Sequence, residues 1–164
     1  MPFSNFPDAA YLRVFAFDRA LTDDEVAVVG GVIESFLLTW KAHGLVIPSA
    51  WSLQEGQVLL FAADTTQVPM KGCSGDSLFG LLAELEAAVG VSIPQTPPVV
   101  YRSDDGLACI ERSQFSGLVQ GGAVDADTAV IDLTLSTVGA LRSRGLEMPA
   151  RDCWHSKAWS ALAS

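Results

Sequence analysis

The stretch "QVLLFAAD", Gln57 to Asp64, most narrows what this chain can become. Six consecutive apolar residues between polar ends are too short for a buried helix and carry no alternation. They read as the central strand of a sheet. A tight turn at Glu55-Gly56 joins this strand to the preceding "LVIPSAWSL", which reads as its hairpin partner. Upstream, "AYLRVFAF", Ala10 to Phe17, is a further strand rich in aromatic and branched residues.

Between these strands lies a helix with a clear start. Thr22 is followed by Asp23, Asp24 and Glu25, an N-cap with acids in the first turn, and Glu25 completes a capping box. Val26, Val29, Ile33, Phe36, Leu37 and Trp40 recur at helical spacing. The pair Gly30-Gly31 weakens the helix, and His43-Gly44 is expected to end it, with glycine at the left-handed stop. A second amphipathic helix carries Leu78, Leu81, Leu82, Leu85 and Val89 and closes at Gly90. Beyond it, "PPVVYRSDDGLACIER" reads as a hairpin turning at Asp105-Gly106. Ser113 is expected to cap a short helix holding Phe115, Leu118 and Val119. "TAVIDLTL" is one more strand, and Thr137 to Arg144 a last helix. The opening order, strand, helix, strand, strand, helix, strand, predicts an α+β fold. Its core is a ferredoxin-like βαββαβ pattern in a mostly antiparallel sheet, extended by further strands and short helices. The 164 residues suit one domain spanning 1–164.

Composition removes several function classes. The formal net charge of -9 repels phosphate backbones, so no nucleic acid partner is expected. No basic amphipathic segment offers itself to an anionic membrane, no stretch has the length of a bilayer span, and the start lacks a secretory pattern. A cytoplasmic, soluble protein is expected. Three cysteines, Cys73, Cys109 and Cys153, form an odd set without CxxC spacing, which disfavours a disulfide framework or a four-cysteine zinc knot. No GxxxxGK[ST], GxGxxG or HExxH is present, and no cofactor is expected.

The chemistry-bearing stretch is "KGCSGDSLFG", Lys71 to Gly80. Read as a loop ahead of the second helix, it puts Cys73 where free N–H groups and the helix dipole stabilise a thiolate or a bound anion. Gly72 and Gly75 permit close backbone approach. Equally, Ser74 or Asp76 as an ordinary N-cap explains half of the pattern, and Cys73 as a small inert residue explains the rest. In the expected topology three segments reach one end of the sheet: Trp40, His43 and Gly44; Gly72, Cys73, Ser74, Gly75 and Asp76; and the tail with Cys153, Trp154 and His155. His43, Cys73 and His155 are acceptable zinc ligands by type, but their spacing fits no known pattern, so no metal site is expected. "GDSL" is not a serine-protease nucleophile, because the residues after Ser77 are helical.

"DRALTDDEV", "WKAHG", "GCSGDS", "DADTAVIDLTLST" and the tail "WH" together resemble a small bacterial family of uncharacterised proteins. Its members usually read SGCSxD, WxxHG and SWH, and some carry the label "ABC transporter ATPase". Lys71 stands where that family often has serine, Gly75 where it often has isoleucine, and Cys153 in place of the tail serine. The resemblance implies that Trp40, His43, Gly44, Cys73, Ser74, Asp76, Trp154 and His155 matter, and it implies no established activity.

These observations point to a ligand-binding or interaction domain with a polar pocket around Cys73, taking a small anionic ligand. The alternatives are a cysteine-dependent enzyme using Cys73 with His43 or His155 as base, and a structural module forming a homodimer.

Overall fold

The computed structural model describes residues 3–42, 44–66, 72–94 and 96–152. The fold is α+β and mostly antiparallel. One sheet has strands β1 (Tyr11–Ala16), β4 (Ser49–Gln54) and β5 (Val58–Ala63) in the order β1-β5-β4. A second sheet has β6 (Val99–Ser103), β7 (Gly106–Ile110), β8 (Ala129–Ile131) and β9 (Glu147–Pro149) in the order β7-β6-β8-β9. A two-stranded ribbon pairs β2 (Lys41–Ala42) with β3 (Leu45–Val46). The helices are α1 (Asp23–Thr39), α2 (Gly72–Val89), α3 (Arg112–Gln120) and α4 (Val138–Arg144).

β5 pairs antiparallel with both neighbours and every one of its residues is buried. Period-two alternation sends its side chains into two different cores. Leu59, Phe61 and Ala63 face α1 and α2, which pack against each other through Val29, Ile33, Leu37, Leu78, Leu81 and Leu85. Val58, Leu60 and Ala62 face the second sheet, meeting Val100, Ile131, Leu135 and Leu141. The far side of the second sheet holds a third core, where Val99 and Val130 meet Phe115 and Val119 of α3. The result is four layers: a helix pair, a sheet, a sheet, and a helix.

Apart from the inserted β2–β3 ribbon, helix, strand, strand and helix follow β1 as the sequence leads one to expect, and the two large helices share one sheet face. β6 does not return beside β1. It joins the second sheet, and Ser136–Thr137 take the outer edge of β1 at its start: Leu12 N–H donates to Ser136 O at 3.0 Å, and Tyr11 bridges Thr137.

Local signals account for most boundaries. Thr22 Oγ1 accepts from Glu25 N, and Glu25 Oε1 accepts from Thr22 N, the expected capping box. Arg19 bonds the same carboxylate at 2.9 and 3.0 Å. The Arg19 bond, then the Thr22 backbone bond, lower the Glu25 pKa to about 2 from an ordinary 4.5. A depressed acid stabilises the fold at pH above its unfolded value and loses that contribution as pH falls through the folded one. Unfolding free energy measured from pH 6 to 2 therefore separates wild type from Glu25→Gln above pH 4.5. The two converge as pH approaches about 2. Curves that stay parallel over that window would show the pair contributes nothing.

Three expected boundaries are corrected. α1 stops at Thr39, and Trp40 is its extended C-cap (φ -72°, ψ 115°), so His43-Gly44 does not end the helix. Gly44 (φ +76°) sits instead in the turn of the β2–β3 ribbon. α3 begins at Arg112, so Ser113 is not its cap. Glu111 stands at that position, with its N–H held by Gln114 Oε1 at 3.2 Å. The β6–β7 turn is centred on Asp104-Asp105, since Ser103 pairs with Gly106. The positive-φ pair is Glu55-Gly56 in the β4–β5 turn.

Candidate functional site

The end of the first sheet is defined by register. Tyr11 of β1 and Ser49 of β4 both pair with Ala63, the last residue of β5. α1 runs back from the far end of β1, and its C-cap Trp40 leads through the ribbon into Ser49. α2 starts just after β5 and begins at this same end. β2 packs against α2, and the end of α1 and the start of α2 lie at this same end of the first sheet.

Trp40 is 2% exposed, and its ring lies 5.5 Å from that of Phe36. Its carbonyl accepts from Ile47 N at 2.8 Å, which ties the ribbon to the helix end. Trp40 is thus a core residue that anchors the ribbon by packing. At the exit of β5, Asp64 N donates to Pro48 O, and Asp64 Oδ1 accepts from Thr66 N and Thr66 Oγ1. The Thr66 hydroxyl bond, then its N–H bond, lower the Asp64 pKa.

Gly72, Cys73, Ser74 and Gly75 form the first turn of α2 rather than a loop before it. Neither Ser74 nor Asp76 is therefore the N-cap, and Asp76 is exposed in the second turn. The pattern hid this start because residues 72–77 carry no apolar residue at helical spacing. The first N–H groups of a helix lack partners within it, and here they belong to Gly72 through Gly75. An 18-residue helix also concentrates the positive end of its dipole there. The side chains of 72–75, together with His43, Lys71, Cys153, Trp154 and His155, lie outside the described residues. Among the described residues there is no group of three or more His, Cys, Asp or Glu able to hold a metal ion. Nor is any helix among them long and apolar enough to cross a membrane.

Cys109 stands apart. It is half-buried on β7, in a cleft of about 740 Å³ shared with Asp18, Pro97, Glu111 and Ser113. That cleft adjoins Asp18, just past the opposite end of β1. Desolvation, then the charge of Asp18, push the Cys109 thiol up to about 11. A thiol so protonated is a poor nucleophile. The cleft was not foreseen from sequence, because its walls come from the 92–98 segment and the start of α3, which only the tertiary fold juxtaposes.

No family model, no curated protein and no solved structure matches the chain.

Proposed function

We propose that the chain is a small ligand-binding or interaction domain whose pocket lies where α1 ends and α2 begins, and that it takes a small anion. The observation that carries this reading is the start of α2 at Gly72. It turns a glycine-flanked polar stretch into four N–H groups at a helix end, at the end of the first sheet where α1 also stops. Backbone N–H groups so placed favour carboxylate or phosphate oxygens. Lys71 adds a positive charge next to this turn in sequence. The placement of Cys73 as the second residue of α2 favours a second reading, a cysteine-dependent enzyme with His43 or His155 as base.

Alkylation of the native protein tests both readings. In a Cys153→Ser background, Cys109 stays slow because its thiol titrates at about 11. The iodoacetamide rate near pH 7 then reports Cys73, and Cys73→Ser supplies the blank. The expected result is a rate above that of a free thiol of pKa about 8.5, slowed by inorganic phosphate. A rate matching the free thiol and indifferent to phosphate would remove the anion site and the nucleophile together.

A further inference from the structure

Arg19, Arg102, Arg142, Arg144 and Arg151 each sit on a carboxylate. Arg13 does not. Its guanidinium lies 5.3 Å from the ring centre of Phe15 and 5.5 Å from that of Phe79. All 19 Asp and Glu fall among the described residues, and none of them pairs with Arg13. In a chain of net charge -9, a cation held by two phenyl rings rather than by an acid is out of keeping with its surroundings. These cation–π contacts use the face of the cation and leave its N–H groups able to donate in bidentate fashion to a carboxylate.

Arg13 also lines a slot of about 130 Å³. Phe79, Leu82, Ile93, Pro97 and Leu133 supply apolar walls, and the floor is the outer edge of β1 at Val14 and Ala16. This slot is what the missing fourth strand leaves behind. Ser136–Thr137 cover only the start of β1. Leu12 turns its N–H outward to Ser136, and strand alternation turns the amide groups of Val14 and Ala16 the same way. The slot has room for several non-hydrogen atoms and suits a short branched aliphatic group.

We propose that this slot binds a short free carboxylic acid, with its branched apolar end between Phe79, Leu82 and Leu133 and its carboxylate on Arg13. The apolar walls reject a bare anion, and the lone guanidinium rejects an uncharged molecule of the same shape. This site is separate from the start of α2, and neither depends on the other.

The test is titration calorimetry on the full chain at 0.15 M salt, where surface repulsion beyond about 8 Å is screened. The probes are 4-methylpentanoate, its amide, acetate, and N-acetyl-glycyl-leucine. The acid is expected to bind at least ten-fold tighter than the amide and than acetate. Arg13→Gln should lose at least ten-fold in affinity for the acid, and Leu133→Phe should lose it by filling the slot. Circular dichroism melts keep a misfolded variant from being scored as a loss. Equal affinity for acid and amide overturns the proposal, as does binding unchanged in folded Arg13→Gln, or no binding of the acid at 10-fold above its expected millimolar range. A peptide end that bound tighter than the free acid would overturn the assignment of a free acid.

Discussion

Phe61→Ala is expected to lower the unfolding free energy by about 3–5 kcal/mol, and Leu60→Ala by about 2–5 kcal/mol. Both side chains are 0% exposed, yet they are neighbours in sequence and point into different cores. Phe61 is packed among α1 and α2, and its ring lies 6.2 Å from that of Phe15. Leu60 is packed against the second sheet. Losses this large from two adjacent positions require apolar cover on both faces of β5. Urea unfolding of the two variants decides it. If either change cost less than about 1 kcal/mol, the corresponding layer would not be a packed core, since even deleting a single buried methylene is felt.

Gly139→Ala is the second large effect. Val138 N–H and Gly139 N–H donate to Ala10 O and Asp8 O, so the start of α4 lies flat on the 8–10 segment. A Cβ at 139 would sit 2.8 Å from Asp8 Cβ and 2.9 Å from Asp8 O. The clashing atoms include backbone, which cannot swing aside as a side-chain end does. Arg142, one turn further on, holds the same segment through Phe3 O at 2.8 Å, Phe6 O at 2.6 Å and Asp8 Oδ1 at 2.5 Å. Overpacking of this kind costs about 1–3 kcal/mol and outweighs the gain of up to about 1 kcal/mol from replacing a helical glycine. Gly31→Ala is the control, because nothing lies within 4 Å of its added methyl, so the helix gain stands alone. Thermal melts should move in opposite directions, by about 2–4 °C per kcal/mol for a chain of this size. A stabilised Gly139→Ala would mean that the N-terminal segment is not held against α4.

What the residues disclosed about the fold was local. The Thr22–Glu25 box, the apolar run at 58–63 and the leucines from Leu78 to Leu85 each impose structure through neighbours within a turn or a strand. The order of elements then allows few ways to cover β5. Sheet membership was not legible: nothing in "PPVVYRS" distinguishes a strand beside β1 from one in a sheet behind it, since Val99 and Val100 are buried in either place. Trp40 fits the helical spacing of α1 and also fits its C-cap, because both put the indole against Phe36. Of the candidate site, the order of elements disclosed only that the end of α1 and the start of α2 lie at one end of the first sheet. Arg13 stands out only in the structure, because a single arginine in a strand gives no sign in sequence that it lies against two phenyl rings and not against an acid.

The closure of β1 by residues far down the chain bears on how the protein is made. Arg142 and Phe3 are 139 positions apart, whereas α1, α2 and the first sheet are complete within residues 11–93. Contacts of such separation form late, because loop closure precedes any reward from them. At a synthesis rate of about 5–20 residues per second, about fifty residues separate the end of that first unit from α4. For several seconds a nascent chain would present β1 with Leu12 N–H unpaired and Phe79 beside it. An open strand edge flanked by aromatics is a template for another chain. Ser136 and Thr137 therefore act as a late-arriving edge guard, and a chain ending before them would be expected to aggregate even though every residue of its first sheet is present.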